Sequence, residues 1–249
     1  MTSGISLLDV DDLDFDFSPR AWNFEREFSV EIDAHWQKLL SSNPAQFDGC
    51  VLLMDTHQVV EEPGQKRVLR GTFLEAGYKS FSACRDLGWP DSSIRNCFAM
   101  AALKSEDGAF LLGEMSSGTS LPGRIQFPAG TPDLEDVRGS KVDLEASAFR
   151  ELYEETTLSA DDIVAAEGWT LVLDGPRIAC MKPMRAKGTA DEIVAKVTRG
   201  LAQQRDPELA RLHIVRDHRD LDTARMPGFM LSYLRSAIPP TPEKRRVSV

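Results

Sequence analysis

Three glutamates and an arginine near the middle of the chain carry the clearest chemical pattern in the sequence. Arg150 precedes Glu151, and Glu154 and Glu155 follow three and four positions after Glu151. Residues with this spacing lie on one face of a helix, so the three carboxylates would be neighbours. Carboxylate oxygens are the ligands that hard divalent cations such as Mg²⁺ prefer, and a bound cation would relieve their mutual repulsion. The pattern predicts a metal-binding helix face, and a solvated acidic surface helix is the alternative.

The helix that must position these carboxylates is predicted over about residues 143–157. Leu144, Ala148 and Leu152 recur at every fourth position, which gives such a helix an apolar face that can turn toward a core. Asp143 is suited to cap the first turn, because an aspartate side chain accepts hydrogen bonds from the free amides of a helix N-terminus. The sequence therefore predicts a helix that packs through one face and presents carboxylates on another.

The elements predicted around this helix favour a layered α+β or α/β domain rather than a doubly wound parallel sheet. Alternation at Phe28, Val30 and Ile32 predicts a strand, with Asp33 capping a short helix to residue 40. The turn residues at 62–64 predict a hairpin over residues 50–74. Residues 1–20 alternate acidic and apolar side chains, which fits an edge strand, a docked tail or a disordered tail. Further strands are predicted at 96–103, 109–115, 124–128, 170–173, 178–181 and 212–215, and further helices at 76–88, 190–204 and 227–237.

The composition is that of a globular protein with one strongly acidic region. Of the 249 residues, 42% are hydrophobic and 27% are charged, and the net charge at pH 7 is −10. Residues 131–162 hold ten acidic residues against three basic ones, so much of the negative charge surrounds the predicted metal-binding helix. An acidic chain is repelled by nucleic-acid phosphates and anionic membranes, so we expect neither nucleic acid nor a membrane as a partner.

The cysteines and the hydropathy pattern predict a cytoplasmic protein. The four cysteines show no CxxC spacing and are expected to be reduced thiols. The N-terminal residues show no basic segment followed by an apolar run, so we expect no signal peptide. No stretch of the sequence approaches the roughly 18 apolar residues that a membrane span requires.

A loop upstream of the acidic helix completes a pattern that resembles the Nudix hydrolase family. The segment Phe127-Pro128-Ala129-Gly130 is followed by Arg150-Glu151-Leu152-Tyr153-Glu154-Glu155. Together they are similar to the Nudix box, G-x5-E-x7-R-E-U-x-E-E-x-G-U, in which U is an aliphatic residue and which a Pro-Gly-Gly commonly opens. The match covers roughly residues 123–158, and the strand order around it extends the resemblance to about 95–237.

The resemblance implies an architecture. It implies a Nudix fold, an α+β protein arranged as an α/β/α sandwich with a mixed sheet, over residues 95–238. Residues 1–94 would form an N-terminal extension that contains a β-hairpin and packs on the core, and residues 239–249 would form a flexible tail. The extension could shape the choice of substrate or provide the interface of a homodimer.

The resemblance also implies a function. Nudix hydrolases use Mg²⁺ or Mn²⁺ to cleave the diphosphate of a small-molecule nucleoside diphosphate derivative. Glu151, Glu154 and Glu155 would be the metal ligands, and Arg150 would hold these glutamates in place; these four residues form the implied catalytic set. The turn Phe127–Gly130 would bind substrate by bringing its backbone close to the phosphates, which small residues permit. A plain tight turn is the alternative for this segment.

The loop between the two motifs departs from the box. Gly130 lies 20 positions before Arg150, six more than in the box. The position of the first glutamate of the box falls on Val142, and the neighbouring Asp143 and Glu145 are out of register. The loop acids Asp133, Glu135 and Asp136 could substitute for that glutamate, or the metal site could be incomplete.

The end of the box departs as well. Its last glycine is replaced by Thr157. A glycine after a helix usually takes the left-handed conformation, which costs a β-branched residue free energy. We therefore expect the helix to end in a different way here.

The sequence leaves the substrate and the general base open. The segment Gly123–Asp136 is similar to the coenzyme A diphosphatase branch of the family, whereas Asn43–Gly49 is similar to the N-terminal part of UDP-sugar-cleaving relatives. Nucleotide sugars, ADP-ribose, dinucleotides and coenzyme A all remain candidate substrates. Asp191 and Glu192 could supply a general base, or could only favour a helix N-terminus. A catalytically impaired Nudix-fold module that binds nucleotides or regulates is the alternative function.

Overall fold

The computed structural model describes residues 4–44 and 46–239, which form two compact units. The first unit contains the described residues within 1–100, 129–150 and 167–182, and the second contains those within 101–128, 151–166 and 183–249. The predicted domain boundary after residue 94 stays a prediction. The predicted flexible tail, apart from residue 239, lies outside the described residues.

Thirteen strands and six α-helices occur in the described part of the chain. The strands are β1 (Ser6–Val10), β2 (Asp12–Phe17), β3 (Cys50–Glu62), β4 (Lys66–Gly77), β5 (Asn96–Lys104), β6 (Phe110–Met115), β7 (Ile125–Gln126), β8 (Val137–Arg138), β9 (Lys141–Val142), β10 (Ile163–Ala165), β11 (Trp169–Asp174), β12 (Arg177–Ala186) and β13 (Leu209–Val215). The helices are α1 (Asn23–Glu27), α2 (Ser29–Ser42), α3 (Tyr78–Asp86), α4 (Leu144–Thr156), α5 (Ala190–Leu201) and α6 (Gly228–Ala237).

The first unit is built on a mixed five-stranded sheet. Its strands are hydrogen bonded in the order β3-β4-β2-β9-β8. Strands β2 and β4 run parallel, and the other neighbours run antiparallel. In the same unit, β11 pairs antiparallel with β1 and with the first half of β12. Mixed strand directions combined with separate helices confirm the α+β class predicted from the sequence.

The acidic N-terminal segment forms strands β1 and β2, and β2 lies between β4 and β9 inside its sheet rather than at an edge. In β2 the aspartates point to one face and the aromatic residues to the other, as the period of a strand requires. Asp14 accepts a hydrogen bond from Lys141 at 2.7 Å, and Phe15 on the opposite face is buried. The ring of Phe15 packs against that of Phe73 on β4, with 5.2 Å between the centroids. Burial of the aromatic face therefore holds the segment in the sheet.

The long hairpin predicted at residues 50–74 is confirmed. Strands β3 and β4 pair antiparallel along their whole length, from Cys50 opposite Gly77 to Glu62 opposite Lys66. The turn between them has positive φ at Gly64, which is +87°. Glycine takes this conformation without steric cost, so the turn residues in the sequence identify the hairpin.

The strand predicted at residues 28–32 is wrong, because residues 29–32 form the first turn of helix α2 and Phe28 is the cap residue before it. Val30 is 77% exposed, whereas Ile32 is buried. Phe28 and Ile32 are four residues apart and therefore lie on the same side of a helix. Both side chains pack in a core cluster with Trp22, Phe24 and other buried residues. The apolar residues of this segment fit both the two-residue period of a strand and the four-residue spacing of a helix. Packing against this cluster favours the helix.

The second unit is organised around strand β6. It pairs antiparallel with β13, β7 and the end of β5. The rings of Phe110, Phe127 and Tyr233 lie 5.8–6.2 Å apart between centroids and form an aromatic cluster in this unit. The apolar face predicted for α5 is buried through Ile193, Val197 and Leu201, as expected from their spacing.

Two further features bear on the sequence expectations. All four cysteines are free thiols, and the Sγ atoms of Cys97 and Cys180 lie 3.7 Å apart in the first unit. Among the described residues, none of the helices combines the length and the apolar character needed to cross a membrane.

Candidate active-site helix

Helix α4 begins as the sequence predicts. The Asp143 carboxylate accepts a hydrogen bond from the Ala146 amide at 2.9 Å, so it caps the first turn. Leu144, Ala148 and Leu152 are all buried, which confirms the predicted apolar face. The helix runs without interruption to Thr156 and so includes all three glutamates.

The three glutamates differ in exposure. Glu155 is buried, with 3% of its surface exposed, whereas Glu151 is half-buried and Glu154 is exposed. A buried carboxylate costs free energy unless it has partners, so a uniformly solvated acidic face does not describe α4. In the described part of the chain, no group of three or more His, Cys, Asp and Glu side chains is gathered into an arrangement that could hold a metal ion. The metal role of the glutamates stays a prediction.

The end of α4 corrects one expectation. Thr157 follows the helix with a φ of +63°, which is the left-handed conformation. Its amide donates to the Tyr153 carbonyl at 2.7 Å, as the residue after a helix does in a left-handed cap. The prediction that the helix would end differently without a glycine is therefore wrong. Thr157 takes the conformation that the glycine of the Nudix box would supply.

A glycine in helix α5 makes room for this threonine. A Cβ built on Gly200 would lie 2.0 Å from Thr157 Oγ1 and 3.0 Å from Thr157 Cβ. Real Cβ atoms do not approach other atoms so closely, so the backbone of α5 and the threonine side chain are in direct contact. This contact contributes packing that offsets part of the cost of the left-handed backbone at Thr157.

Arg150 binds a buried loop aspartate. Its Nη2 donates to Asp136 Oδ2 at 3.0 Å and to Oδ1 at 3.2 Å, and its Nε lies 3.4 Å from Oδ1. The Asp136 side chain is only 2% exposed, and that of Arg150 is 23% exposed. Asp136 Oδ2 also accepts the amide of Asp133 at 3.1 Å. Asp136, one of the three loop acids considered for the missing glutamate, is thus a partner of the arginine.

The residues that lengthen the loop form a small hairpin. Strands β8 and β9 pair antiparallel, with Val137 opposite Val142, and Gly139 in the turn has a φ of +65°. Because the two strands pair, the chain after β9 lies beside the chain before β8. The amide of Asp143 therefore donates to the carbonyl of Asp136 at 2.8 Å. Val142 itself is buried. The extra residues therefore carry Asp136 back to the N-terminus of α4.

The other acids near the helix N-terminus have local roles. Asp133 caps the short 3₁₀ turn that follows it by accepting the Glu135 amide at 2.7 Å. Glu145 accepts a hydrogen bond from the buried Lys182 at 3.1 Å, and Lys182 Nζ lies 4.8 Å from the centre of the Trp169 ring. Both contacts stabilise the first unit.

The segment Phe127–Gly130 is divided between the two units after Pro128. The ring of Phe127 is fully buried in the aromatic cluster of the second unit, and the Pro128 carbonyl accepts the Ala101 amide at 3.0 Å. Ala129 and Gly130 are half-buried. The side chain of Phe127 thus belongs to the core, and the substrate-binding role predicted for the backbone of this segment stays a prediction.

Glu192, one of the two candidate general bases, takes part in a capping box. Its carboxylate accepts the amide and the hydroxyl of Thr189, each at 2.8 Å. The hydrogen bond from the Thr189 amide is the main reason that the pKa of Glu192 is lowered. These contacts favour the structural alternative for Glu192.

Sequence reasoning missed a charged cluster around Glu114 in the second unit. Glu114 Oε2 accepts hydrogen bonds from His213 Nε2 at 2.6 Å, Arg211 Nε at 2.9 Å and Arg225 Nη1 at 3.1 Å. The hydrogen bond from His213, helped by Arg211, lowers the pKa of Glu114 to about 2. The partners come from separate segments, so no sequence spacing reports the cluster, although strand pairing places Arg211 opposite Glu114.

Comparison with known proteins finds two solved structures that are similar to this chain over more than half of its length. A Nudix hydrolase from M. smegmatis, RenU, is similar at 16% identity and a TM-score of 0.36, over 58% of this chain and 87% of that chain. The MutT protein from Methanosarcina mazei Go1 is similar at 16% identity and a TM-score of 0.39, over 57% of this chain and 92% of that chain. No family model and no curated protein matches the chain.

Proposed function

We propose that this protein is a metal-dependent hydrolase of the Nudix type that cleaves the diphosphate bond of a nucleoside diphosphate linked to another moiety. The observation that carries the proposal is the course of helix α4. The helix includes Glu151, Glu154 and Glu155 and ends at Thr157 in the left-handed conformation that the box glycine would adopt. The spacing of Arg150 and the three glutamates, and the left-handed turn after them, are thus both those of the box, whereas the loop before them departs from it.

The donor set on α4 suits a hard divalent cation in its chemistry. Glu151, Glu154 and Glu155 supply only carboxylate oxygens, which Mg²⁺ and Mn²⁺ prefer. These three glutamates would bind the cation. Arg150 would fix the helix next to Glu151 through its ion pair with Asp136. A bound cation would neutralise phosphoryl oxygens and lower the pKa of an attacking water.

The substrate class is the one that the family resemblance implies, and the charge of the protein indicates how such a substrate would bind. The protein carries a net charge of −10, and an anionic diphosphate would be repelled by acidic residues alone. A cation held between the glutamates and the phosphates removes that repulsion, so we expect binding of the substrate to require the metal. The candidates are nucleotide sugars, ADP-ribose, dinucleotides and coenzyme A.

A screen of these four substrate classes with Mg²⁺ or Mn²⁺ tests the proposal. Hydrolysis should need the metal, and Glu154→Gln and Glu155→Gln should each reduce turnover by more than the roughly 10- to 100-fold that loss of a group supporting a metal ligand costs. Glu167→Gln removes an exposed carboxylate elsewhere and should leave turnover unchanged. Absence of turnover with every substrate, or full activity of both helix variants, would contradict the enzyme proposal.

One observation favours a second candidate, a Nudix-fold module that binds a nucleotide without cleaving it. Val142 is buried where the box has a glutamate, so no carboxylate can act from that position. This candidate predicts nucleotide binding by titration calorimetry without hydrolysis. It also predicts that Glu154→Gln leaves the affinity for the nucleotide unchanged.

A further inference from the structure

The pair between Asp136 and Arg150 joins the loop to α4 at the residue before Glu151. Both Asp136 oxygens accept from Arg150 Nη2, at 3.0 and 3.2 Å, and the carboxylate is almost fully buried. A guanidinium that meets both oxygens of a carboxylate is held in direction as well as distance. The pair therefore resists rotation and sliding of α4 at this point.

The hairpin β8–β9 explains how a residue so far along the chain reaches the arginine. Asp136 precedes Arg150 by 14 positions. The hairpin closes through Val137 opposite Val142, and the Asp143 amide donates to the Asp136 carbonyl at 2.8 Å. The same aspartate thus contacts α4 through its backbone at the N-cap and through its side chain two turns later.

The hydrogen bonds of Asp136 also argue against a direct metal role. Oδ2 accepts from Arg150 and from the Asp133 amide at 3.1 Å, and Oδ1 accepts from Arg150. A carboxylate that is buried and bound to a guanidinium through both oxygens would have to break these bonds to coordinate a cation. We infer that Asp136, carried by the hairpin insertion, is a positioning residue that acts through Arg150 to fix helix α4 and its glutamates.

This inference rests on the proposed function, but its first test needs neither metal nor substrate. Amide hydrogen exchange of the full chain, followed residue by residue in α4, should be at least about tenfold faster at positions 151–155 in Asp136→Asn than in the wild type, because the pair that holds this part of the helix is lost. The exposed Glu167→Gln serves as the control and should leave exchange in α4 unchanged. Unchanged exchange in Asp136→Asn would overturn the inference.

The second test measures Mn²⁺ affinity by electron paramagnetic resonance. Asp136→Asn and Arg150→Gln should each weaken Mn²⁺ binding by about 10- to 100-fold, in the range found when a residue supporting a metal ligand is lost. The double variant should bind Mn²⁺ as tightly as the single variant with the lower Mn²⁺ affinity, because in this inference Asp136 acts only through Arg150. Additive losses would identify Asp136 as a metal ligand and overturn the inference.

A purely structural role gives a different result in the same experiment. It predicts a lower unfolding temperature for Asp136→Asn with unchanged Mn²⁺ affinity, and that result would also overturn the inference. A wild-type protein that binds no Mn²⁺ would instead contradict the proposed function and the link from Asp136 to a metal. The exchange experiment would then still decide whether the pair fixes α4.

Discussion

Replacing Gly200 by alanine should destabilise the protein through a clash with Thr157. The added methyl group would lie 2.0 Å from Thr157 Oγ1, and its three nearest neighbours are all atoms of the threonine side chain. Overpacking of this kind costs about 1–3 kcal/mol in well-packed regions. Alanine in place of glycine within a helix returns about 1 kcal/mol, so we expect a net loss of up to about 2 kcal/mol.

The same alanine should stabilise the protein once the threonine side chain is removed. In a Thr157→Gly background the atoms that cause the clash are absent, and only the helix-forming advantage of alanine in α5 remains, about 1 kcal/mol. Thr157→Gly alone also relieves a left-handed backbone, which costs an L-residue about 1–2 kcal/mol, against about 0.5–1 kcal/mol for the greater freedom of glycine in the unfolded chain. The single Thr157→Gly variant should therefore range from neutral to about 1.5 kcal/mol more stable, less the packing that the threonine side chain loses against Gly200.

The wild type, the two single variants and the double variant form a double-mutant cycle. Their urea unfolding, followed by tryptophan fluorescence and circular dichroism, measures the coupling free energy between positions 157 and 200. We expect a coupling of about 1–3 kcal/mol, equal to the cost of the clash. Ala195→Gly, at an exposed position of α5, gives the local alanine–glycine difference without touching Thr157. A coupling below about 0.5 kcal/mol, within the range of independent sites, would refute the contact and with it our explanation of how Thr157 replaces a glycine.

Three further predictions concern other parts of the molecule. Glu114 has a pKa of about 2, so its ionised form contributes stability that is present above pH 4.5 and is lost as the pH falls toward 2. The difference in unfolding free energy between the wild type and Glu114→Gln, measured by urea titration, should therefore shrink between pH 6 and pH 3. A constant difference would contradict this prediction. Partial burial raises the pKa of the Cys50 thiol to about 12, so this thiol should resist a disulfide reagent at pH 8 in the native protein and react in urea. The stability of the protein should fall above pH 9, where the unfolded thiol ionises. Rapid labelling of native Cys50 would contradict the raised pKa. Gly71→Ala would place a Cβ 2.7 Å from the Thr56 carbonyl oxygen and should cost about 1–3 kcal/mol, whereas Gly118→Ala meets nothing closer than 4.0 Å and should be nearly neutral in the same unfolding assay.

Local patterns were enough to predict the elements whose stabilising contacts lie close in sequence. Helix α4 follows from apolar residues at every fourth position and from Asp143 as its cap, both of which the structure confirms. The hairpin of β3 and β4 follows from two strand-forming segments and the turn residues between them, which include Gly64. In each case the contacts that decide the conformation involve neighbours along the chain.

The segment at residues 28–32 shows where local pattern fails. Phe28, Val30 and Ile32 satisfy the period of a strand, while Phe28 and Ile32 also satisfy that of a helix. The choice between these periods depends on the surface against which the segment packs, and that surface includes residues distant in sequence, such as Phe81. Tertiary packing therefore overrode the alternation.

The sequence by itself determined which residues could do chemistry, because the spacing of Glu151, Glu154 and Glu155 places them on one helix face. Only the tertiary structure decided which residues support that helix. The pairing of Asp136 with Arg150 and the contact of Thr157 with Gly200 join residues that no helical or strand period relates. Residues that are far apart in the sequence come into such contacts only when the whole chain has folded, so no local pattern in the sequence reports them.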